Sequence, residues 1–380
     1  MTMRYRALGS TGLTVSEIGL GCEWLTTPEQ TRTLIHRAEA LGVNILDCWM
    51  SDPAVRSHIG AALEGRRDKW IIQGHIGSTW QDGQYVRSRK ISEASEAFED
   101  MLRRFRTDYI DLGMIHYVDD PADWQGICEG DFLPYVQQLK KDGRIRHIGL
   151  STHNPEIARL AAESGVVEMI MFSVNPAFDM LPVNGDAEIY FGDDFSTAVD
   201  GISPERIALY KLCEQRGVGI TVMKGFAGGR LFDAERSPFG VALTPAQCLH
   251  YCLTRPAVAS VLAGVESPAQ LEEAAAYHTA SSEAVDYATV LAGAPRHAYT
   301  GQCTYCGHCK PCPVHIDIAM VNKLYDLALM QPEVPDSIRG HYRALQVPAS
   351  ACIGCGSCES RCPFGVAIAA RMASAAGLLE

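Results

Sequence analysis

Short apolar runs alternate with amphipathic stretches along the chain up to about residue 281. The runs fall at 17–21, 44–47, 70–75, 109–116, 144–151, 169–175, 219–224 and 260–264. Each is bounded by turn-forming residues and shows no strict alternation, the pattern of strands covered on both faces. Helical patterns lie between them, for example over 91–105, 132–141, 204–216 and 244–253. Pro155, Pro204 and Pro245 stand near the starts of such segments, where proline is tolerated. Eight strand–helix units over about 280 residues predict a (β/α)₈ TIM barrel, which typically takes about 250. A doubly wound sheet is the competing arrangement, but no G-x-G-x-x-G follows the first strand.

The pattern changes after residue 281. Cysteine-rich runs take over, separated by helical stretches at 316–330 and 336–345. The organisation expected is a barrel over 1–281, then a linker and a small, mostly helical ferredoxin-like domain over 282–380. Within the barrel one connection is anomalously long. Residues 175–203 carry Asp179, Asp186, Glu188, Asp193, Asp194 and Asp200 with little periodicity. Loops of this length are usually functional or disordered, and this one should stand over the barrel mouth.

Eight of the 14 cysteines lie in two runs. The first is Cys303-Thr-Tyr-Cys306-Gly-His-Cys309-Lys-Pro-Cys312-Pro, and the second is Cys352-Ile-Gly-Cys355-Gly-Ser-Cys358-Glu-Ser-Arg-Cys362-Pro. Three thiolates at two-residue spacing wrap one iron–sulfur cube, and a fourth before proline ligates the other cube. The rule assigns Cys303, Cys306, Cys309 and Cys362 to one [4Fe–4S] cluster. Cys352, Cys355, Cys358 and Cys312 are assigned to the second. Disulfides need an oxidising compartment, and zinc takes four ligands, usually in separated pairs.

Charge and composition remove several function classes. The chain of 380 residues carries a net charge of −12, which argues against nucleic acid as a partner. No apolar run approaches the roughly 20 residues that span a bilayer, and the start of the chain lacks the apolar core of a signal peptide. A cytoplasmic protein with no membrane partner is expected.

Several segments resemble the aldo-keto reductase family. Tyr5-Arg-Ala-Leu-Gly-Ser-Thr-Gly-Leu-Thr-Val-Ser-Glu-Ile-Gly-Leu-Gly21 is similar to its opening hairpin and first strand. Gly42-Val-Asn-Ile-Leu-Asp47 resembles its second strand, and Asp108-Tyr-Ile-Asp-Leu-Gly-Met-Ile-His116 its fourth. Gly143-Arg-Ile-Arg-His-Ile-Gly-Leu-Ser151-Thr-His-Asn154 resembles the fifth, and the stretch from Leu262 to Glu272 the eighth strand and the following helix. With the cysteine runs attached, the chain looks like the branch of that family with a C-terminal dicluster domain.

The resemblance implies NADPH-dependent carbonyl reduction by an aspartate, a tyrosine, a lysine and a histidine. Asp47 and His116 occupy the aspartate and histidine positions. The tyrosine position is taken by Asp52 and the lysine position by His75. Asp52 would need its pKa raised by about 3 units, roughly 4 kcal/mol, to serve as an acid near neutrality, whereas a histidine needs almost no shift. Asp47, His75 and His116 are therefore the expected catalytic residues. Tyr85 and Tyr117 are alternative donors that read more simply as packing residues. Where the family places an arginine for the adenosine 2′-phosphate, this chain has Glu266, which would repel a phosphate and accept a ribose hydroxyl. Gly228, Gly229 and Lys224, in the loop after the seventh strand, are the other nucleotide-site candidates. Flavin is an alternative cofactor, because one-electron clusters need a partner that splits electron pairs.

The function expected is an iron–sulfur oxidoreductase that passes electrons between two [4Fe–4S] clusters and a small organic substrate at the barrel mouth. An external carrier such as ferredoxin would be its partner, and the cluster domain should lie against the mouth. The alternatives are an NAD(P)H-dependent reductase with structural or redox-sensing clusters, and a non-catalytic electron-transfer subunit.

Overall fold

The computed structural model describes residues 2–180, 203–294, 301–329, 331 and 333–380. Eight parallel strands close into a barrel: Ile18–Gly21 (β1), Ile45–Cys48 (β2), Ile71–Ile76 (β3), Ile110–Ile115 (β4), Ile145–Thr152 (β5), Met169–Ser173 (β6), Gly219–Met223 (β7) and Val258–Gly264 (β8). β8 pairs with β1 and β5 with β6, so no edge is left open. Each strand falls within two residues of an apolar run expected from the sequence, and the (β/α)₈ fold with a helical C-terminal region stands as predicted.

The barrel interior is layered. Ile45, Leu112, Met114, Met169, Ala259 and Leu262 fill its lower part, together with Leu8 and Val15. The last two belong to the hairpin pairing Tyr5–Ala7 with Thr14–Ser16, which plugs the floor. Gly149 in β5 makes room for the methionine layer. A Cβ there would sit 2.4 Å from the Met114 sulfur and 2.5 Å from that of Met169. Above this layer the inward side chains turn polar.

The outer helices start by one repeated device. Thr27, Asp52, Asp120, Asn154, Ser203, Thr244 and Ser267 each precede a proline, and each side chain accepts from a backbone N–H in the first turn. The proline has no N–H to leave unpaired, and the cap satisfies the next donor. Every strand-to-helix turn built this way delivers its chain to the same face, where the strands end and the site is assembled.

In the C-terminal region, helices Ile318–Leu329 and Ile368–Leu379 pack together. The first of them docks on the outside of helix Pro204–Arg216. Lys323 pairs with Glu214 at 2.7 Å, and Gln215 Nε2 donates to the Leu327 carbonyl at 2.9 Å. Arg255, in the turn leading into β8, donates to the Thr304 carbonyl at 2.5 Å. These contacts lie on the flank of the barrel and at the face where strands begin. The cluster domain was expected at the mouth, and this docking corrects that. The reason is local: Tyr287, in helix Tyr287–Ala292, packs on Tyr251 with ring centroids 5.2 Å apart. The chain is pinned low on the wall before it reaches Cys303. Of the acidic loop, 181–202 lies outside the described residues. Asp179 does not line an opening: it is fully buried and accepts from Tyr210 and Tyr251 at 2.5 and 2.7 Å.

Candidate active site and cluster-binding loops

Strand register brings Asp47, Gln73, His75 and His116 together. Asp47 on β2 is paired with Gln73 on β3, and His75, two residues on, points to the same side. His75 is paired with Met114 on β4, so His116, two beyond Met114, faces it. Gln73 Nε2 donates to Asp47 Oδ1 at 2.9 Å. His75 Nε2 lies 2.9 Å from the same oxygen, and its Nδ1 lies 2.8 Å from His116 Nδ1. All three ionisable side chains are at most 5% exposed. Burial, with the cationic Arg89 and Arg87 nearby, holds the His116 pKa well below the ordinary imidazole range, so this ring stays neutral. The three residues expected to be nearest the chemistry form one hydrogen-bonded chain.

The chain has a fourth member. Tyr85 Oη lies 2.7 Å from His116 Nε2. It sits on a hairpin, Ser78–Gln81 paired with Gln84–Arg87, inserted between β3 and its helix. Ser51 Oγ donates to the Thr79 carbonyl and Arg56 Nη2 to the Ser78 carbonyl, while Ser78 Oγ donates to the Trp49 carbonyl. Trp49 meets the Tyr85 ring edge-on at 5.3 Å. Reading Tyr85 as a packing residue missed this. The signal was present in Asp82-Gly83, a two-residue turn between alternating segments, whose φ angles of 50° and 79° are those of a type I′ hairpin.

Asp52 takes no part in the chain. Its carboxylate accepts from Ala54 N at 2.7 Å and caps helix Pro53–Ala62. A second polar group at the strand ends escaped the sequence reading. Asp119 accepts from His153 Nδ1 at 2.9 Å, from His153 N at 2.7 Å and from Thr152 Oγ1 at 2.8 Å. Burial lowers the His153 pKa even against that carboxylate. The Thr-His-Asn sequence just past a strand end was its signal.

The nucleotide-site candidates sit on the same face. Gly228 and Gly229 both have positive φ, 64° and 82°, and a Cβ at either would meet nothing within 4 Å. This is open, glycine-lined backbone of the kind a pyrophosphate approaches. Lys224 follows β7, and burial brings its pKa down to about 8, with Glu23 and Asp119 pulling it back up and Arg230 pushing it down. Glu266 is exposed immediately before Ser267, the cap of helix Pro268–Ala275. The backbone and charges present fit a dinucleotide lying from this helix start to the barrel mouth.

The cysteines of the two runs lie in two loops. Cys312, Cys352, Cys355 and Cys358 edge one hollow, walled by apolar groups including Ile316 and Met372. Cys303, Cys306 and Cys309 follow one another in the other loop, and Asn322 Nδ2 donates to the Cys303 sulfur at 3.5 Å. Arg361, beside Cys362, donates to the carbonyls of Cys309 and Pro311 at 2.9 and 2.7 Å, tying the last cysteine to that loop. Four thiols around an apolar hollow, with no carboxylate or imidazole in its wall, suit iron and sulfide. Outside these loops Cys22, Cys48, Cys213, Cys248 and Cys252 are buried, and Cys128 is exposed. Cys248 and Cys252 lie in the core, and burial pushes the Cys48 thiol up to about 12.

The barrel, its mouth and the cysteine loops agree with known proteins. Residues 17–242, more than half of the chain, match the aldo/keto reductase family, and the chain belongs to that family. Residues 302–367 match the 4Fe-4S dicluster domain, so this is an aldo-keto-type oxidoreductase carrying a dicluster domain. Among curated relatives, the uncharacterized oxidoreductase YqkF of Bacillus subtilis is 28% identical over 288 residues, covering 71% of this chain and 90% of that protein. The L-galactose dehydrogenase of Arabidopsis thaliana is 23% identical over 302 residues, covering 70% and 86%. Among solved structures, the aldo-keto reductase AKR11C1 of Bacillus halodurans in its holo form superposes with a TM-score of 0.57 at 26% identity, covering 74% of this chain and 94% of that one. Among the described residues no helix is long and apolar enough to cross a membrane.

Proposed function

We propose that this chain interconverts a small carbonyl compound and its alcohol at the barrel mouth, using a nicotinamide dinucleotide, and that its clusters form a redox module off the hydride path. The observation that carries this reading is the separation of two assemblies. The Asp47–His75–His116 chain sits where the strands end, while the cluster loops are joined to the barrel through Arg255 and Thr304, at the turn where β8 begins. Direct passage of electrons from cluster to substrate would have to cross the barrel wall. The bound dinucleotide would supply the hydride. The protein's part is to orient the substrate oxygen at the mouth end of this chain, beyond His116, and to manage its proton, with His75 and Asp47 behind the ring. Lys224, Gly228 and Gly229 would hold the pyrophosphate, and Glu266 would accept from a free ribose hydroxyl, which favours NADH over NADPH.

In this reading the functional units are the barrel over 1–281 and the linker with cluster domain over 282–380. Cys303, Cys306, Cys309 and Cys362 hold one [4Fe–4S] cluster, and Cys312, Cys352, Cys355 and Cys358 the other. Cys355 and Ile353 are exposed on the second loop, the face at which a ferredoxin-type carrier would exchange electrons with the module. The test is a turnover assay on anaerobically purified protein, with NADH or NADPH and a panel of small aldehydes and ketones, run beside chemically reduced ferredoxin. Nicotinamide-dependent turnover is expected. Turnover with reduced ferredoxin and none with nicotinamide would restore the cluster-to-substrate route.

A further inference from the structure

We infer that Tyr85 is a catalytic residue: its hydroxyl exchanges the proton with the substrate oxygen, at the open end of a four-membered relay that stores that proton on Asp47. The inference rests on the reaction proposed above and adds a residue that neither the strand ends nor the tyrosine position of the sequence supplies.

The directions of the hydrogen bonds follow from counting protons. Each of the three contacts, Tyr85 Oη to His116 Nε2, His116 Nδ1 to His75 Nδ1, and His75 Nε2 to Asp47 Oδ1, has room for one proton. A neutral imidazole has one donor and one acceptor nitrogen. With Asp47 ionised, His75 donates to it from Nε2 and must accept at Nδ1. His116 then donates from Nδ1 and accepts at Nε2, and Tyr85 donates its hydroxyl proton there. Only one other arrangement is self-consistent: every proton shifted one place toward Asp47, which is then protonated. The relay therefore has two states that differ by one proton, and no ring need carry a charge in either.

The two states serve the two directions of reaction. In alcohol oxidation the substrate O–H bond breaks and its proton goes to the Tyr85 oxygen. The Tyr85 proton passes to His116 Nε2, the His116 proton to His75 Nδ1, and the His75 proton to Asp47. The hydride leaves the carbon that bears this oxygen for the oxidised nicotinamide, so the alcohol loses one proton and one hydride and becomes the carbonyl. Reduction runs the shifts backward from protonated Asp47. Once product has left, the same relay exchanges its proton with water at the mouth. Tyr85 is the one member that is only half-buried, whereas the other three are closed off from solvent. Its phenol pKa is raised by burial, which keeps the proton on the oxygen between turnovers.

The experiment compares wild type with Tyr85→Phe and, as an unaffected control, Asp52→Asn, all as full chains with clusters retained. Three quantities are read: single-turnover alcohol oxidation, dinucleotide affinity by protein fluorescence, and the side-chain ¹⁵N spectrum of His116. For Tyr85→Phe we expect oxidation to fall by about 10²–10⁴-fold, the usual contribution of a positioned acid or base. Dinucleotide affinity should stay unchanged, and the His116 Nε2 resonance should shift as its donor is lost. Asp52→Asn should keep both rate and spectrum. An active wild type whose rate survives Tyr85→Phe overturns the inference, as does a wild-type spectrum with the proton on His116 Nε2. A wild type that turns over no alcohol or carbonyl with nicotinamide removes the proposed reaction itself, a distinguishable result that takes the catalytic part of Tyr85 with it.

Discussion

Arg255 Nη2 reaches the carbonyl of Thr304, the residue after the first cluster cysteine, at 2.5 Å. The same nitrogen also donates to Thr254 Oγ1 and Tyr287 Oη. One buried guanidinium thus joins the end of helix Pro245–Leu253, the linker helix Tyr287–Ala292 and the first cysteine loop. Removing it should loosen all three at once.

We expect Arg255→Met to lower the melting temperature by about 4 °C or more, since charged hydrogen bonds contribute about 1.5–3 kcal/mol each and about 1 kcal/mol moves a chain of this size by a few degrees. Iron should be lost faster to a chelator, while dinucleotide affinity at the distant mouth stays as it was. Calorimetry and a chelation time course check this. An unchanged melting temperature would mean that the cluster domain is held by other contacts.

Asp52 stands where the resemblance calls for a tyrosine, yet it is a helix cap. Asp52→Ala should cost about 1 kcal/mol, the usual loss on removing an N-cap, and leave the turnover number near wild type. Asp52→Asn should restore the stability. Urea denaturation and steady-state assays separate the two effects. A large fall in turnover with unchanged stability would return Asp52 to the chemistry.

Much of the barrel was legible because it depends on local pattern. Eight apolar runs, cap–proline pairs and turn residues specify strands and helices wherever the chain later goes. Asp47, His75 and His116 could be found because strand-end positions on this fold share one face. Tyr85 was harder to place. Its hairpin is readable from Asp82-Gly83, but the angle at which it folds over the mouth is set by Ser51, Arg56 and Trp49, on segments before β3. The docking of the cluster domain was illegible for a similar reason. A linker of about twenty residues can extend far at about 3.3 Å each, and contacts such as the packing of Tyr287 on Tyr251 and the Arg255 bridge hold it low on the barrel.

The cysteine assignment predicts about eight iron and eight sulfide per chain, four of each per cube. Cys355 is exposed, while Cys309 is buried. Replacing Cys355 with serine should remove the cluster of the second loop and leave about four irons, and oxygen should attack that cluster first. Iron analysis with electron paramagnetic resonance reads both. Zinc in place of iron, or four irons in the intact protein, would contradict the two-cluster arrangement.

Glu266 predicts which nucleotide is preferred. An exposed carboxylate at that helix start repels a 2′-phosphate, so affinity should be higher for NADH than for NADPH. Glu266→Arg should reverse the order, with little change in the hydride-transfer rate once either nucleotide is bound. Fluorescence titration with both nucleotides checks it. A wild-type preference for NADPH would show that the phosphate lies elsewhere.

Lys224 carries a dependence on pH whose sign can be worked out for binding and for stability separately. Burial lowers its pKa to about 8, so the ammonium is present below that value and lost above it. If it faces the pyrophosphate, dinucleotide affinity should weaken as pH rises through about 8, and Lys224→Met should bind weakly with no such step. Folding responds in the opposite direction. The folded pKa lies below the unfolded value of about 10.4, so the unfolded chain binds more protons between the two and stability contributed by this group rises with pH across that window. Lys224→Met should therefore be more stable than wild type at pH 7, and the difference should shrink toward pH 10. Affinity and melting temperature measured on both proteins from pH 6.5 to 10 test the two signs together. Affinity that is flat in the wild type through pH 8 would remove Lys224 from the nucleotide site, whatever the stability shows.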